Sequence, residues 1–172
     1  MSGAGRVHRI YIVGFMGAGK TTVGECLARD LRYRFQDLDR EIERAAGRKI
    51  AEIFKEDGEE AFRKLEAGAL RRAGGQTEIV IACGGGTLKL WENRDFIAQT
   101  GLSVWLDAAM DLMLERCGRD RHRPLLGDRA TMERLLAERI PAYRQADLRV
   151  DAAAGSPESI AARIASWVAG TK

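Results

Sequence analysis

Eight residues near the start of the chain, Gly14-Phe15-Met16-Gly17-Ala18-Gly19-Lys20-Thr21, fit G-x-x-x-x-G-K-[ST] without a gap and follow the apolar run Ile10-Tyr11-Ile12-Val13. A buried strand, a glycine-rich turn and a helix, in that order, is the arrangement a phosphate-binding P-loop requires. Glycines let successive backbone N–H groups point inward with no Cβ in the way. A helix beginning near Gly19 adds unpaired amides and the positive end of its dipole. In that frame Gly17, Ala18, Gly19, Lys20, Thr21 and Thr22 are the candidates for holding a nucleoside triphosphate. Lys20 serves as a mobile charge on the β- and γ-phosphates and Thr21 as a hydroxyl ligand of Mg²⁺. The motif names a phosphate donor and leaves the acceptor open.

Beyond the loop, apolar runs recur with helical stretches between them. Strands are expected at residues 10–13, 35–38, 79–82, 103–106 and 148–150. Helices are expected at 23–31, 40–46, 61–72, 109–117 and 131–144, with another starting at 50–54. Ser156-Pro157-Glu158 has the composition of a helix start, and the helix after it carries Ile160, Ile164, Trp167 and Val168 on one face. Strands alternating with helices predict an α/β fold: a five-stranded parallel sheet covered on both sides, in three layers. The 172 residues suit one domain, and no internal repeat or low-complexity linker interrupts them. Residues 117–130, rich in Arg, Gly and Asp around Pro124, have the composition of a mobile loop, which between two helices of a phosphate-transfer enzyme serves as a lid. Trp91 and Trp105 are not assigned to core or surface.

Composition excludes several classes. A hydrophobic fraction of 45% and a charged fraction of 31% suit a globular protein, and no apolar run approaches a membrane span. The first residues lead straight into a strand with no room for a secretory h-region, so cytoplasmic residence is expected. Cys26, Cys83 and Cys117 are scattered and form no C-x-x-C, which argues against disulfides and zinc. A net charge of +3 is too small to argue for nucleic acid. The local cluster of Arg116, Arg119, Arg121, Arg123 and Arg129 lacks the interleaved aromatics of a single-strand binder. No Asn-Lys-x-Asp motif supports a guanine-nucleotide switch.

Four further patterns bear on the acceptor. In Asp37-Leu38-Asp39, residues i and i+2 of a strand face the same way, which would bring both carboxylates to the strand end where ligands bind in open α/β sheets. One can hold Mg²⁺ through water and the other can orient or deprotonate a hydroxyl. The same pair also suits a solvated turn. In Gly58-Glu59-Glu60-Ala61-Phe62-Arg63-Lys64-Leu65-Glu66, the residues Phe62, Leu65 and Ala69 read as one helical face, and Arg63 and Glu66 are i, i+3 neighbours. A guanidinium held by a carboxylate suits a substrate carboxylate, or is simply a surface ion pair. Gly84-Gly85-Gly86 follows a strand and suits close approach of a ligand to backbone. Arg123-Pro124-Leu125-Leu126 places an arginine in the expected lid, where it can neutralise a transferring phosphoryl group or be a plain basic loop.

Taken together, in this order and at these spacings, the motifs resemble those of the shikimate kinase family, P-loop kinases similar in fold to nucleoside monophosphate kinases. The resemblance spans about residues 8–168. It implies phosphorylation of the shikimate 3-hydroxyl by ATP with Mg²⁺, a single kinase domain with a shikimate-binding segment at about 37–66, and a monomer with no nucleic-acid or membrane partner. It further implies that Asp37 holds the metal through water and that Asp39 binds the acceptor hydroxyls as candidate base. Arg63 and Arg144, in Pro141-x-Tyr143-Arg144, bind the carboxylate, while Gly84, Gly85 and Gly86 line the ring. Arg123 is the lid arginine and Arg116 lies against adenine. Many family members carry a basic residue just before the last helix. This chain has Ala152-Ala153-Ala154-Gly155-Ser156-Pro157 there, which implies a looser adenine pocket. The nearest rival is a kinase for another small hydroxy acid such as gluconate.

Overall fold

The computed structural model describes residues 8–119 and 128–171. Strand β1 (Arg9–Val13) sits at the centre of a five-stranded sheet, with β2 (Arg34–Asp37) and β3 (Ile79–Ala82) on one side and β4 (Leu102–Asp107) and β5 (Leu148–Asp151) on the other. The order is β2-β3-β1-β4-β5 and every pair is parallel. Parallel strands covered on both faces must be apolar throughout. Accordingly Ile10, Tyr11, Ile12 and Val13 are all buried, as are Ile79, Val80, Ile81 and Ala82. The register places Ile12 opposite Ala82, and Ala82 opposite Asp37, so the C-terminal ends of β1, β3 and β2 form one row.

Helix α1 (Lys20–Leu31) follows β1 and packs against both β2 and the last helix, α8 (Pro157–Gly170). The contact with β2 is close: a Cβ on Gly24 would stand 2.6 Å from the Phe35 ring. Helix α8 begins as expected, with Ser156 accepting from the Ser159 amide and Pro157 in the first turn. It buries Ile160, Ile164 and Val168. On the β2 side lie α2 (Leu38–Ala46), α3 (Ile50–Glu56) and α4 (Gly58–Gly74). Helices α6 (Met110–Arg119) and α7 (Arg129–Tyr143) come between β4 and β5.

Several expectations need correction. Helix α5 (Trp91–Thr100) was not expected, because its ten residues WENRDFIAQT carry little apolar periodicity. Of the residues 117–130 expected as a mobile loop, Cys117 belongs to α6, and Arg129 and Ala130 to α7. The centre of that stretch, including Arg123, lies outside the described residues. In α4 the inward face is Phe62, Glu66, Ala69, Leu70 and Ala73, while Leu65 is 41% exposed. Trp105 is buried and stacks on Tyr143 at 5.9 Å, and Trp91 is exposed. All three cysteines are buried and none of them forms a disulfide.

Candidate active site

A cavity of about 420 Å³ opens at the C-terminal end of the sheet, lined by the P-loop, Asp37, Asp39, Cys83, Arg116 and the segment around Gly155 and Pro157. The P-loop backbone is wound as a phosphate cradle requires. Gly14, Gly17 and Gly19 have φ of 144°, 74° and 97°, and Gly19 precedes the first turn of α1 with no side chain capping it. Gly19 has no side chain to take up the first amides of α1, as an anion-binding helix N-terminus requires. At Gly17 a side chain is excluded twice, by its φ and by the Met113 carbonyl, 2.7 Å from where Cβ would be. Lys20 is buried and its Nζ donates to the Phe15 carbonyl at 2.9 Å. Thr22 lines the same cavity.

Thr21 and Asp37 meet directly: the hydroxyl donates to Asp37 Oδ2 at 2.6 Å. The other oxygen, Oδ1, accepts from the amides of Asp39 and Arg40 at 3.0 and 3.2 Å and caps α2. This corrects the strand argument for the pair. Asp37 ends β2, but Asp39 is the second residue of a helix, and both reach the cavity by way of the cap rather than by strand alternation. One hydroxyl and one carboxylate oxygen form a sparse, hard donor set, suited to a cation that keeps most of its water and takes the rest of its ligands from phosphate. No cluster of three or more His, Cys, Asp or Glu that could form an all-protein cage occurs among the described residues.

Arg116 donates from Nη1 to the Ala18 and Gly17 carbonyls at 2.9 and 3.4 Å, and from Nη2 to Ala152 O at 3.5 Å. It thus ties α6 to the P-loop and to the loop that precedes α8.

Next to this half of the site, the three glycines each face a charged side chain. A Cβ on Gly84 would lie 2.8 Å from both Asp39 Oδ1 and Glu66 Oε1. One on Gly85 would lie 3.3 Å from Arg139 Nη1, and one on Gly86 2.6–2.9 Å from the Arg63 guanidinium. The run is glycine because four ionised groups pack on bare backbone, which a simple turn would not demand. Arg63 is held by Glu66, which is 1% exposed and accepts from Nη1 at 2.6 Å. Glu59 accepts from Nε and Nη2 at 3.3 and 3.4 Å and also receives Lys89 Nζ at 2.7 Å, the Lys89 bond being the main cause that holds the Glu59 carboxyl below its ordinary value.

Arg139 was missing from the sequence reading, which chose Arg144. The structure leaves Arg144 exposed at the C-terminal cap of α7. Arg139 instead donates to the Gly85 carbonyl at 3.1 Å, beside Tyr143 Oη, which donates to the same oxygen at 2.6 Å. Helix geometry gives the reason: Arg139 and Tyr143 are i, i+4 and share a face, whereas Arg144 is turned about 100° from Tyr143. The sequence held only half of the signal: Met132, Arg139 and Tyr143 share one helical face by spacing, but which face of α7 docks on the glycines is decided by the fold. Arg139 also stacks over Phe15 at 5.1 Å and so touches both the P-loop and the glycine run. Cys83, between Ala82 and these glycines, is fully buried, and burial pushes its thiol far up, so it stays a neutral packing group.

Comparison with known proteins bears on which acceptor such a site takes. The family model described as "Shikimate kinase" matches residues 16–169. The shikimate kinase of Geobacter sulfurreducens is 46% identical over 164 residues, 94% of this chain and 91% of that protein. A solved shikimate kinase from Acinetobacter baumannii, in complex with shikimate, superposes with a TM-score of 0.91 at 38% identity, covering 96% of this chain and 95% of that one. A gluconokinase from Sinorhizobium meliloti reaches a TM-score of 0.59 at 18% identity over 98% of this chain and 99% of that one, and shares the fold alone. The likeness in sequence runs nearly the whole length of the chain, through the P-loop and the glycine run alike, and the chain belongs to the shikimate kinase family.

Proposed function

We infer that the chain transfers the γ-phosphoryl group of ATP to the 3-hydroxyl of shikimate. The observation that carries this is the glycine run with Asp39, Arg63 and Arg139 packed on its backbone, one strand away from the P-loop. Shikimate is a small anion with three hydroxyls. Two arginines suit its carboxylate, a carboxylate suits its hydroxyls, and bare backbone lets its ring lie close.

Each residue then has a physical task. Gly17, Ala18 and Gly19 offer amides to the phosphates. Lys20 leaves the Phe15 carbonyl for the β- and γ-phosphates, exchanging a neutral acceptor for a charged one. Thr21 and Asp37 would hold Mg²⁺, Asp37 through water, and the 2.6 Å contact between their oxygens supports this reading. A cation held there would supply neutralising charge for the transferring group. Asp39 accepts from the acceptor hydroxyl and is the candidate base, standing on Gly84. Arg63 and Arg139 take the acceptor carboxylate, Arg139 in the place the sequence reading gave to Arg144. Arg116 bounds the adenine side together with Pro157. Arg123 is the arginine expected to close over the phosphates, and it lies outside the described residues. Both halves of the site come from one chain, which supports a monomer as the working unit. No described helix is long and apolar enough to cross a membrane.

ADP release from ATP with Mg²⁺, measured against shikimate, quinate and gluconate, tests this. Turnover should depend on shikimate. Turnover with gluconate but not shikimate would overturn the assignment.

A further inference from the structure

Thr87 opens the short helical turn after the three glycines and is completely buried. Its hydroxyl donates to Glu66 Oε1 at 2.7 Å. The other oxygen of that carboxylate, Oε2, accepts from Arg63. Glu66 is therefore pinned from both ends, by a cation on its own helix and by a hydroxyl from the loop after β3. Thr87 is itself immobilised. Its amide donates to Gly84 O at 3.1 Å, and its carbonyl accepts from Asn93 Nδ2 at 3.0 Å. Asn93 is fully buried, and its Oδ1 accepts from Arg71 Nη1 at 3.1 Å. An unbroken polar chain thus runs from Arg71 on α4, through Asn93 on α5 and Thr87, to Glu66 and Arg63 on α4 again. Filling space needs no hydroxyl here, since a valine of the same shape would bury without a partner.

We propose that Thr87 is a positioning residue for the acceptor: its hydroxyl fixes the rotamer of Glu66, and Glu66 aims the Arg63 guanidinium at the acceptor carboxylate. The inference rests on Arg63 being a carboxylate clamp. With the hydroxyl removed, Glu66 Oε1 is buried without a donor, and the carboxylate relieves this by turning both oxygens onto Arg63. With Glu59 already accepting from Nε and Nη2, a guanidinium chelated in that way has no pair of donors left for the acceptor carboxylate.

Steady-state kinetics of Arg63→Ala, Thr87→Val, Thr87→Ala and Thr87→Ser, each with a melting curve to give the folded fraction, test the proposal. Thr87→Val should raise the shikimate KM about tenfold, with kcat and the ATP KM within about twofold of the parent protein. Thr87→Ser should restore the parent value. Thr87→Ala gives the same readout if the valine variant does not fold. A purely structural role would lower the melting temperature and leave both KM values of the folded enzyme alone. A parental shikimate KM in Thr87→Val or Thr87→Ala, while Arg63→Ala raises it, would refute the role of Thr87. So would a serine variant as impaired as the valine one. If Arg63→Ala itself left the shikimate KM unchanged, the clamp reading would fall and this proposal with it.

Discussion

Asp37 divides its two oxygens between tasks, one capping α2 and the other meeting Thr21. Asp37-x-Asp39 is legible as a pair although a helix cap, not strand alternation, brings the two together. Residues close in sequence are brought together by local geometry of almost any kind, strand or cap. The P-loop and the Arg63–Glu66 pair were legible for the same reason. Arg139 was not, because nothing local decides which face of α7 docks on the glycines. That choice is made by Tyr143 reaching Gly85 O across 58 residues of chain. The two arginines make a direct comparison. Arg139→Ala should raise the shikimate KM at least about tenfold, the scale of a charged hydrogen bond. Arg144→Ala should stay within about twofold. A large effect at 144 with none at 139 in steady-state kinetics would reverse the assignment.

At the scale of elements, the predicted strands matched the observed ones within about a residue at most ends, because strands buried on both faces read as unbroken apolar runs. Helices were harder. Helix α5 exposes Trp91 and buries only Asn93 and Ile97, so its sequence carries no stripe to detect. Helix α8 was clear, since Ile160, Ile164 and Val168 recur at four-residue steps. It lies against α1, whose first turn belongs to the P-loop, so its packing reaches the nucleotide. Ile164 is completely buried, and Ile164→Ala should cost about 2–5 kcal/mol in urea unfolding. The ATP KM should rise more than the shikimate KM. A stability loss with both KM values unchanged would show that α8 props up the fold without steadying the loop.

At the scale of the whole molecule, the titration of one tyrosine bears on the alkaline limit of stability. Burial is the main cause that pushes the Tyr143 hydroxyl up to about 12 from its ordinary 10.0. Below pH 10 the folded and unfolded chains hold this proton equally. Between about pH 10 and 12 the unfolded chain releases it first, so stability falls as pH rises. Relative to Tyr143→Phe, which has no such proton, the parent protein should lose about 1.3 kcal/mol of unfolding free energy between pH 9 and 11. Denaturant melts at the two pH values measure this. Parallel changes in the two proteins would mean that Tyr143 ionises as an exposed phenol.

The row formed by Ile12, Ala82 and Asp37 carries one last consequence. The P-loop leaves the sheet from β1, the glycine run from β3, and Asp37 from β2. Neighbouring strands stand about 4.8 Å apart because their backbone hydrogen bonds allow little else. The sheet therefore works as a jig, clamping the three groups at a pitch that no side chain sets and no side-chain substitution can retune. Retooling such a frame for a different hydroxy acid would exchange the groups standing on the row and leave its spacing untouched.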